Sequence, residues 1–272
     1  MFSALSVSSS LTNYNKPIIP LSSPLSIDGC TLWLDQDSFY TDTACTSTNA
    51  CSIDGQIIKG WKDKSTSANN FTNTYPVTGP LYKPNSINTT KSSILFNQTH
   101  GLYARDSLLL PSGSLQTSTT FIVVKASNAS NNNAGLGILS WGNRNDRWRA
   151  IQTDVAGANV KLTIVGAGDV INSNVNIGGF IHQLAFVTGT NKYGYLDNAA
   201  FINNGSTAPF GNSANNFAVV GSTITAPSYL SAAFAGGTFV GNMCEIIIYD
   251  TELNSTDRTS VYNYLKTKYG TP

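Results

Sequence analysis

Charged side chains are scarce in this chain. Asp, Glu, Lys and Arg make up 11% of its 272 residues, well below the ~25% of an average soluble protein. Sixteen basic residues against fifteen acidic ones leave a formal net charge of +1. No basic cluster is present that could neutralise a row of phosphates, so nucleic acid is excluded as a predicted partner. Solubility must come from Ser, Thr and Asn.

Long apolar runs are also absent. The longest dense stretch, Ile246-Ile247-Ile248-Tyr249, has the length of a strand, whereas a helix that spans a bilayer needs ~20 apolar residues. Membrane insertion is therefore not predicted. The first residues, Met1-Phe2-Ser3-Ala4-Leu5-Ser6-Val7, lack a basic segment and a continuous apolar segment. They do not have the pattern of a secretory signal.

The residue types that most often perform acid–base catalysis are rare. The chain has two glutamates, Glu245 and Glu252, and two histidines, His100 and His182. Glycoside hydrolysis needs two carboxylates that flank the scissile bond, and no Glu-x-Asp-x-x-Glu strand is present. Serine-hydrolase, phosphate-loop and dinucleotide-binding motifs are missing as well. We predict no enzymatic activity, and we interpret Glu245 as a structural carboxylate that bonds backbone at a sheet edge.

Four cysteines remain, and none has the spacing of a zinc-binding pair. Cys45 and Cys51 flank a short polar loop, and Cys30 and Cys244 each open an apolar strand pattern near opposite ends of the chain. We predict the disulfides Cys45–Cys51 and Cys30–Cys244. The alternative is four buried free thiols, because four cysteines allow three pairings.

The chain divides into an arm and one β domain. Residues 1–25 are rich in Ser, Pro and Asn and predict an extended arm that tethers the protein to a larger assembly. Residues 26–272 predict a single β-sandwich, since short alternating apolar runs recur between Gly, Asn and Pro clusters. These runs are Cys30–Leu34, Ser93–Phe96, Thr120–Val124, Gly137–Trp141, Arg149–Thr153, Val160–Val165, His182–Val187, Gly194–Leu196, Phe217–Gly221 and Cys244–Tyr249.

One helix is predicted over Thr256–Tyr269. Asn254 can cap its first turn, Lys266 and Lys268 suit the negative end of its dipole, and Gly270 ends it. Between two of the strands, Asp197-Asn198 supplies residues that tolerate the positive φ of a tight hairpin.

Several segments in order resemble the concanavalin A-like lectin/glucanase superfamily, in its laminin-G-like form found in viral and bacterial surface proteins. The resemblance covers residues 27–272 and rests on these segments: Leu32-Trp33-Leu34-Asp35, Trp61-Lys62-Asp63-Lys64-Ser65 with Asn69-Asn70, Pro84-Asn85-Ser86-Ile87-Asn88, Ile94-Leu95-Phe96-Asn97, and the closing run from Glu245 to Gly270. It implies a two-sheet antiparallel jelly roll whose first and last strands are neighbours, which would bring Cys30 close to Cys244.

The segment between two tryptophans is the main candidate for a glycan site. Trp141, Asn143, Arg144, Asp146 and Trp148 combine aromatic faces with amide, guanidinium and carboxylate groups, the mixture that binds a pyranose. The alternative is that both tryptophans fill the core. Asp197 is a calcium-ligand candidate, as in some laminin-G-like domains, and its alternative role is that of a turn residue.

The preferred functional hypothesis is a non-catalytic structural or attachment module on the exterior of a virion or cell. Its predicted partners are glycans or other surface proteins. Two alternatives stay open, a soluble carbohydrate-binding lectin and a divergent polysaccharide lyase or glycoside hydrolase.

Overall fold

The structure is a computed structural model that describes residues 21–73, 78–97, 101–105, 108–111, 117–127, 136–142, 149–153, 159–164, 168–189, 192–201, 217–222 and 239–272. Within them are one α-helix, α1 (Ser255–Tyr269), a 3₁₀ turn at Pro24–Ser26, another at Ser47–Asn49, and sixteen strands. The strands are β1 (Cys30–Tyr40), β2 (Gly60–Asp63), β3 (Phe71–Thr72), β4 (Leu81–Ile87), β5 (Lys91–Asn97), β6 (Leu102–Arg105), β7 (Ser118–Ala126), β8 (Leu136–Trp141), β9 (Arg149–Thr153), β10 (Asn159–Ile164), β11 (Gly168–Asn176), β12 (His182–Thr188), β13 (Lys192–Leu196), β14 (Ala199–Phe201), β15 (Phe217–Val220) and β16 (Val240–Tyr249).

The strands form two antiparallel layers. The strands follow one continuous hydrogen-bonded path, in which β11-β10-β9-β8-β15-β6-β3 form one layer and β1-β16-β7-β12-β13-β14 form the other, with β2 joining them. Off this path, β4 pairs with β5, and β5 pairs with β16. Ile138 and Ala218 of the first layer share one buried cluster with Ile122 and Leu184 of the second. The main core therefore lies between the layers, and the predicted antiparallel β-sandwich is confirmed.

Helix α1 covers the outer face of the second layer. Its buried side chains, Val261, Leu265 and Tyr269, pack with Phe121 and Val123 of β7. The neighbouring β7 residues at the alternate positions face the other way, into the main core. Because both faces of this layer are buried, the middle of β7 is apolar at four consecutive positions, 121–124.

The ends of α1 match the sequence prediction. Asn254 accepts a 2.9 Å hydrogen bond from the Asp257 backbone N–H, and Gly270 closes the helix with φ of 63°. The helix begins at Ser255, one residue before the predicted start. Local capping chemistry accounts for both ends.

A bulge in β16 determines which side chains face α1. Met243 is paired with Val124 and Glu245 with Val123, so Cys244 is an extra residue in the strand. On its other side, β16 pairs with β5 up to Met243 and with β1 from Ile246 onward. The bulge therefore marks the point where β16 changes partners and re-aims its side chains.

The predicted disulfides are not formed, since all four cysteines are free thiols. Cys30 is in register with Tyr249, five positions beyond Cys244 on β16. Five residues of strand span about 16 Å, whereas the Cα atoms of a disulfide lie within about 7 Å of each other. Neighbouring strands were correctly predicted, but their register separates the two thiols.

The last residues of the predicted arm pack on the domain. Pro24 is buried, and its carbonyl accepts a 3.0 Å hydrogen bond from the Tyr249 hydroxyl. Leu21 packs against the cluster beneath α1. Residues 1–20, which make up most of the predicted tether, lie outside the described residues.

Candidate functional site

A cluster of polar side chains surrounds Glu245, whose side chain is fully buried. Its Oε1 accepts from the Trp33 indole N–H at 2.8 Å and from the Tyr264 hydroxyl at 3.1 Å. Its Oε2 accepts from the Lys268 ammonium at 2.7 Å and from the Tyr269 hydroxyl at 2.6 Å. One carboxylate thus joins β1, β16 and α1.

A second buried carboxylate, Asp35, faces the same lysine. Its side chain is 2% exposed, and its Oδ2 lies 2.6 Å from Lys64 Nζ and 3.4 Å from Lys268 Nζ. Its Oδ1 accepts from the Asp37 backbone N–H at 3.0 Å. Lys268 therefore lies between Asp35 and Glu245, at the point where β1 and β16 separate.

Burial and charge act in opposite directions on these groups. Burial raises the pKa of Glu245 above its usual range, against the effect of Lys268. Burial also opposes ionisation of Asp35, but Lys268 and Lys64 outweigh it and lower the pKa of that carboxyl. Burial lowers the pKa of Lys268, but Glu245 and Asp35 outweigh it and raise the pKa of that ammonium. Four donors point at Glu245, as an ionised carboxylate requires.

The role predicted for Glu245 was correct only in part. Its carboxylate is structural, but it lies inside the sheet rather than at an edge, and its four partners are side chains rather than backbone. The partners lie 19 to 212 positions away in the chain. No local sequence pattern could have indicated these contacts.

The Asp63 carboxylate explains one of the segments that carry the family resemblance. It accepts from the backbone N–H groups of Trp33, Ser65 and Asn69 at 2.8–2.9 Å and from the Ser65 hydroxyl at 2.7 Å. The Asp63 N–H donates to the Asn70 side chain at 2.9 Å. These residues fix the loop after β2 against β1, so the motif is structural.

The predicted glycan-binding loop is only partly described. Trp141 is 2% exposed and belongs to the main core, and its indole N–H donates to the Pro111 carbonyl at 3.2 Å. Its ring cannot stack on a sugar, so this candidate is wrong because the side chain faces the opposite layer. Asn143, Arg144, Asp146 and Trp148 lie outside the described residues.

An aromatic pair that sequence reasoning missed lies beside that loop. The rings of Tyr103 and Phe217 are stacked, with centroids 6.1 Å apart and an interplanar angle of 16°. Together with Val219 they form a cluster separate from the main core, on the opposite face of the first layer. The Gly142 N–H donates to the Phe217 carbonyl, so the segment that leads into residues 143–148 starts next to this pair. Tyr103 and Phe217 are more than a hundred positions apart in the sequence, so no local sequence pattern indicated that their rings are in contact.

Asp197 has partners within the protein. Its Oδ1 accepts from the Gln183 N–H at 2.8 Å, and its Oδ2 lies 2.7 Å from Nδ1 of His182. Asp197 and Asn198 have φ of 48° and 66° and form the two-residue turn between β13 and β14, as predicted. In the part of the chain that the structure describes, no three His, Cys, Asp or Glu residues are grouped to hold a metal. Calcium binding by Asp197 stays a prediction.

The helices in the described ranges include none that is long and apolar enough to cross a membrane.

No protein-family model matches the chain, and no curated protein matches it. Comparison with solved structures, by contrast, finds many similar folds.

Three different proteins among them illustrate the likeness, each with a TM-score above 0.5. Domain 4 of AbnA, a GH43 extracellular arabinanase from Geobacillus stearothermophilus solved in complex with arabinotriose, is 14% identical, with a TM-score of 0.56 over 86% of this chain and 98% of that one. Trypanosoma rangeli sialidase is 12% identical, with a TM-score of 0.55 over 92% of this chain and 35% of that one. The binding domain of botulinum neurotoxin serotype G is 12% identical, with a TM-score of 0.56 over 89% of this chain and 54% of that one.

The chain thus spans about a third of the sialidase and about half of the neurotoxin domain, but nearly the whole arabinanase domain. At these identities the likeness is one of fold. The protein is an antiparallel β-sandwich with a C-terminal helix, consistent with the concanavalin A-like type.

Proposed function

We propose that this protein is a non-catalytic glycan-binding module displayed on the exterior of a virion or cell. The observation that carries the proposal is the match to a single arabinanase domain over 98% of its length, a domain solved in complex with arabinotriose. A sandwich of this kind can bind a sugar without any other domain, although one fold serves several functions.

The surface that we assign to the glycan is the outer face of the first layer near the end of β8. Tyr103 is half-buried there and stacks on Phe217. An aromatic face suits the C–H side of a pyranose. Asn143, Arg144 and Asp146, which follow Gly142 in the sequence, carry groups that form hydrogen bonds with sugar hydroxyls.

The state of the two glutamates supports binding rather than hydrolysis. Glu245 is buried and accepts four hydrogen bonds, so its carboxylate is not available to a substrate. Glu252 is exposed, but it lies in the turn between β16 and α1. A hydrolase would need two carboxylates facing each other across the scissile bond.

A glycan array tests this proposal. The purified protein should bind a restricted set of glycans, and Tyr103→Ala should reduce that binding at least tenfold. Phe180→Ala is the matched control, because Phe180 is an aromatic residue that is 73% exposed on the loop before β12. Repeating the array with a chelator decides whether calcium takes part. A blank array from folded protein, or equal loss in both variants, would contradict the proposal.

Display on a virion is the finer part of the proposal. It rests on the laminin-G-like resemblance and on an N-terminal segment that would act as a tether. Detection of the protein in purified virions by mass spectrometry would support it. Secretion of the same protein from an uninfected cell would contradict it.

A further inference from the structure

The cluster of Asp35, Lys268 and Glu245 contains the parts needed for a covalent bond between side chains. Their side chains are 2%, 14% and 0% exposed, and Trp33, Tyr264 and Tyr269 surround them through hydrogen bonds to Glu245. We propose that Lys268 and Asp35 condense into an amide that joins α1 to β1, with Glu245 as the proton relay.

The reacting atoms are already close to each other. Lys268 Nζ lies 3.4 Å from Asp35 Oδ2, so the nitrogen contacts the carboxyl group whose carbon it would attack, and its approach is already restricted by the fold. The Asp37 N–H holds Oδ1 at 3.0 Å and would stabilise the negative charge that develops on this oxygen in the tetrahedral intermediate. Lys64 donates to Oδ2 at 2.6 Å, which assists the departure of that oxygen.

The step is balanced without any co-reactant. Glu245 Oε2, 2.7 Å from Lys268 Nζ, takes one proton and leaves a neutral amine. The nitrogen lone pair attacks the Asp35 carboxyl carbon, and the bond from that carbon to Oδ2 breaks with its electron pair on oxygen. Two protons from the original ammonium, one of them relayed by Glu245, end on Oδ2, which leaves as water. Carbon, nitrogen and oxygen keep their oxidation states.

The environment selects Lys268 over Lys64. Lys64 is 35% exposed and lies over the Trp33 ring at 4.9 Å from its centroid, where water keeps its ammonium solvated. Lys268 is shielded, and it contacts a carboxylate that can accept its proton. Because the pKa of Lys268 is raised, only a small fraction of its side chain is the neutral amine. We therefore expect the amide to form slowly, and it needs to form only once in each molecule. The amide also replaces two buried charges, whose desolvation disfavours the ionised pair.

Intact mass spectrometry of the reduced, denatured protein tests the proposal. Folded protein kept for several days should be lighter than its sequence by the mass of one water molecule. Proteolysis should then release a branched peptide that joins the segments containing Asp35 and Lys268.

Variants separate the roles of the residues. Lys268→Met and Glu245→Gln should both have the full sequence mass, whereas Lys266→Met should still lose one water, because Lys266 is an exposed lysine on the same helix. Full mass in aged, folded wild-type protein would overturn the proposal. A water loss located at Lys64, or at a cyclised Asp, would overturn it equally. The wild-type mass decides the question even if a variant fails to fold.

Discussion

The indole N–H of Trp33 donates a 2.8 Å hydrogen bond to Glu245 on the neighbouring strand, 212 positions later in the chain. Trp33 is in register with Ile247, so Glu245 is its diagonal neighbour across the β1–β16 pair. The same carboxylate receives three side chains of α1. Docking of the helix therefore depends on a group that only the assembled sheet can position.

Replacing Glu245 by Gln tests this dependence. In freshly folded protein of full sequence mass, the variant leaves the Lys268 ammonium without its nearest counter-charge in a buried site. The free energy of unfolding should therefore fall by about 3 kcal/mol, measured by urea denaturation. Glu252→Gln is the control and should change stability by no more than about 0.5 kcal/mol, because Glu252 is exposed. Equal stability of the two variants would show that Glu245 does not hold the helix.

The cap of α1 gives a smaller and local prediction. Asn254→Ala removes the side chain that accepts from the Asp257 N–H, and should lower the free energy of unfolding by about 1 kcal/mol. Ser255→Ala, at the next and exposed position, should have little effect. If both variants unfold at the same urea concentration as wild type, the helix is held by packing alone.

The four thiols should be protected by burial. Burial raises the pKa of Cys45 to about 11 and that of Cys30 and of Cys51 to about 12, with nearby carboxylates adding to the effect on Cys30 and Cys45. The reactive species is the thiolate, so at pH 8 the folded protein should react slowly with a disulfide-exchanging dye, and faster as pH rises toward 11. In urea, without reductant, all four thiols should titrate. Fewer than four would show that a disulfide forms.

Alanine substitutions at two glycines distinguish the cost of backbone strain from the cost of steric overlap. Gly55 and Gly221 have nearly equal φ, 79° and 80°, and only Gly221 has a neighbour, the Phe96 ring, where a Cβ would lie. Gly55→Ala should cost about 1 kcal/mol for the left-handed backbone. Gly221→Ala should cost more, which thermal melts of the two variants will compare. Equal costs would mean that Phe96 moves aside freely.

Features with local causes were predictable from the sequence. The helix ends follow from Asn254 and Gly270, and β9 was predicted with the bounds that it has. Strands β2, β3, β4, β6, β11 and β14 were missed. Four of them, β2, β3, β6 and β14, have only two to four residues, β4 contains Pro84, and β11 alternates weakly between polar and apolar positions. The polar cluster was missed for a different reason. Asp35 and Lys268 meet 233 positions apart, and only the packing of α1 on the paired strands β1 and β16 brings them together.

The change of partner in β16 has a consequence for synthesis. This strand is hydrogen-bonded to β1, β5 and β7, and the ribosome makes it after every other strand described. Until β16 emerges, β1 and β7 each have an unpaired edge, and the apolar face that they share stays exposed to water. Folding of this layer must therefore wait for nearly the whole chain, with the slow kinetics of long-range strand pairing and a need for protection from aggregation in the interval.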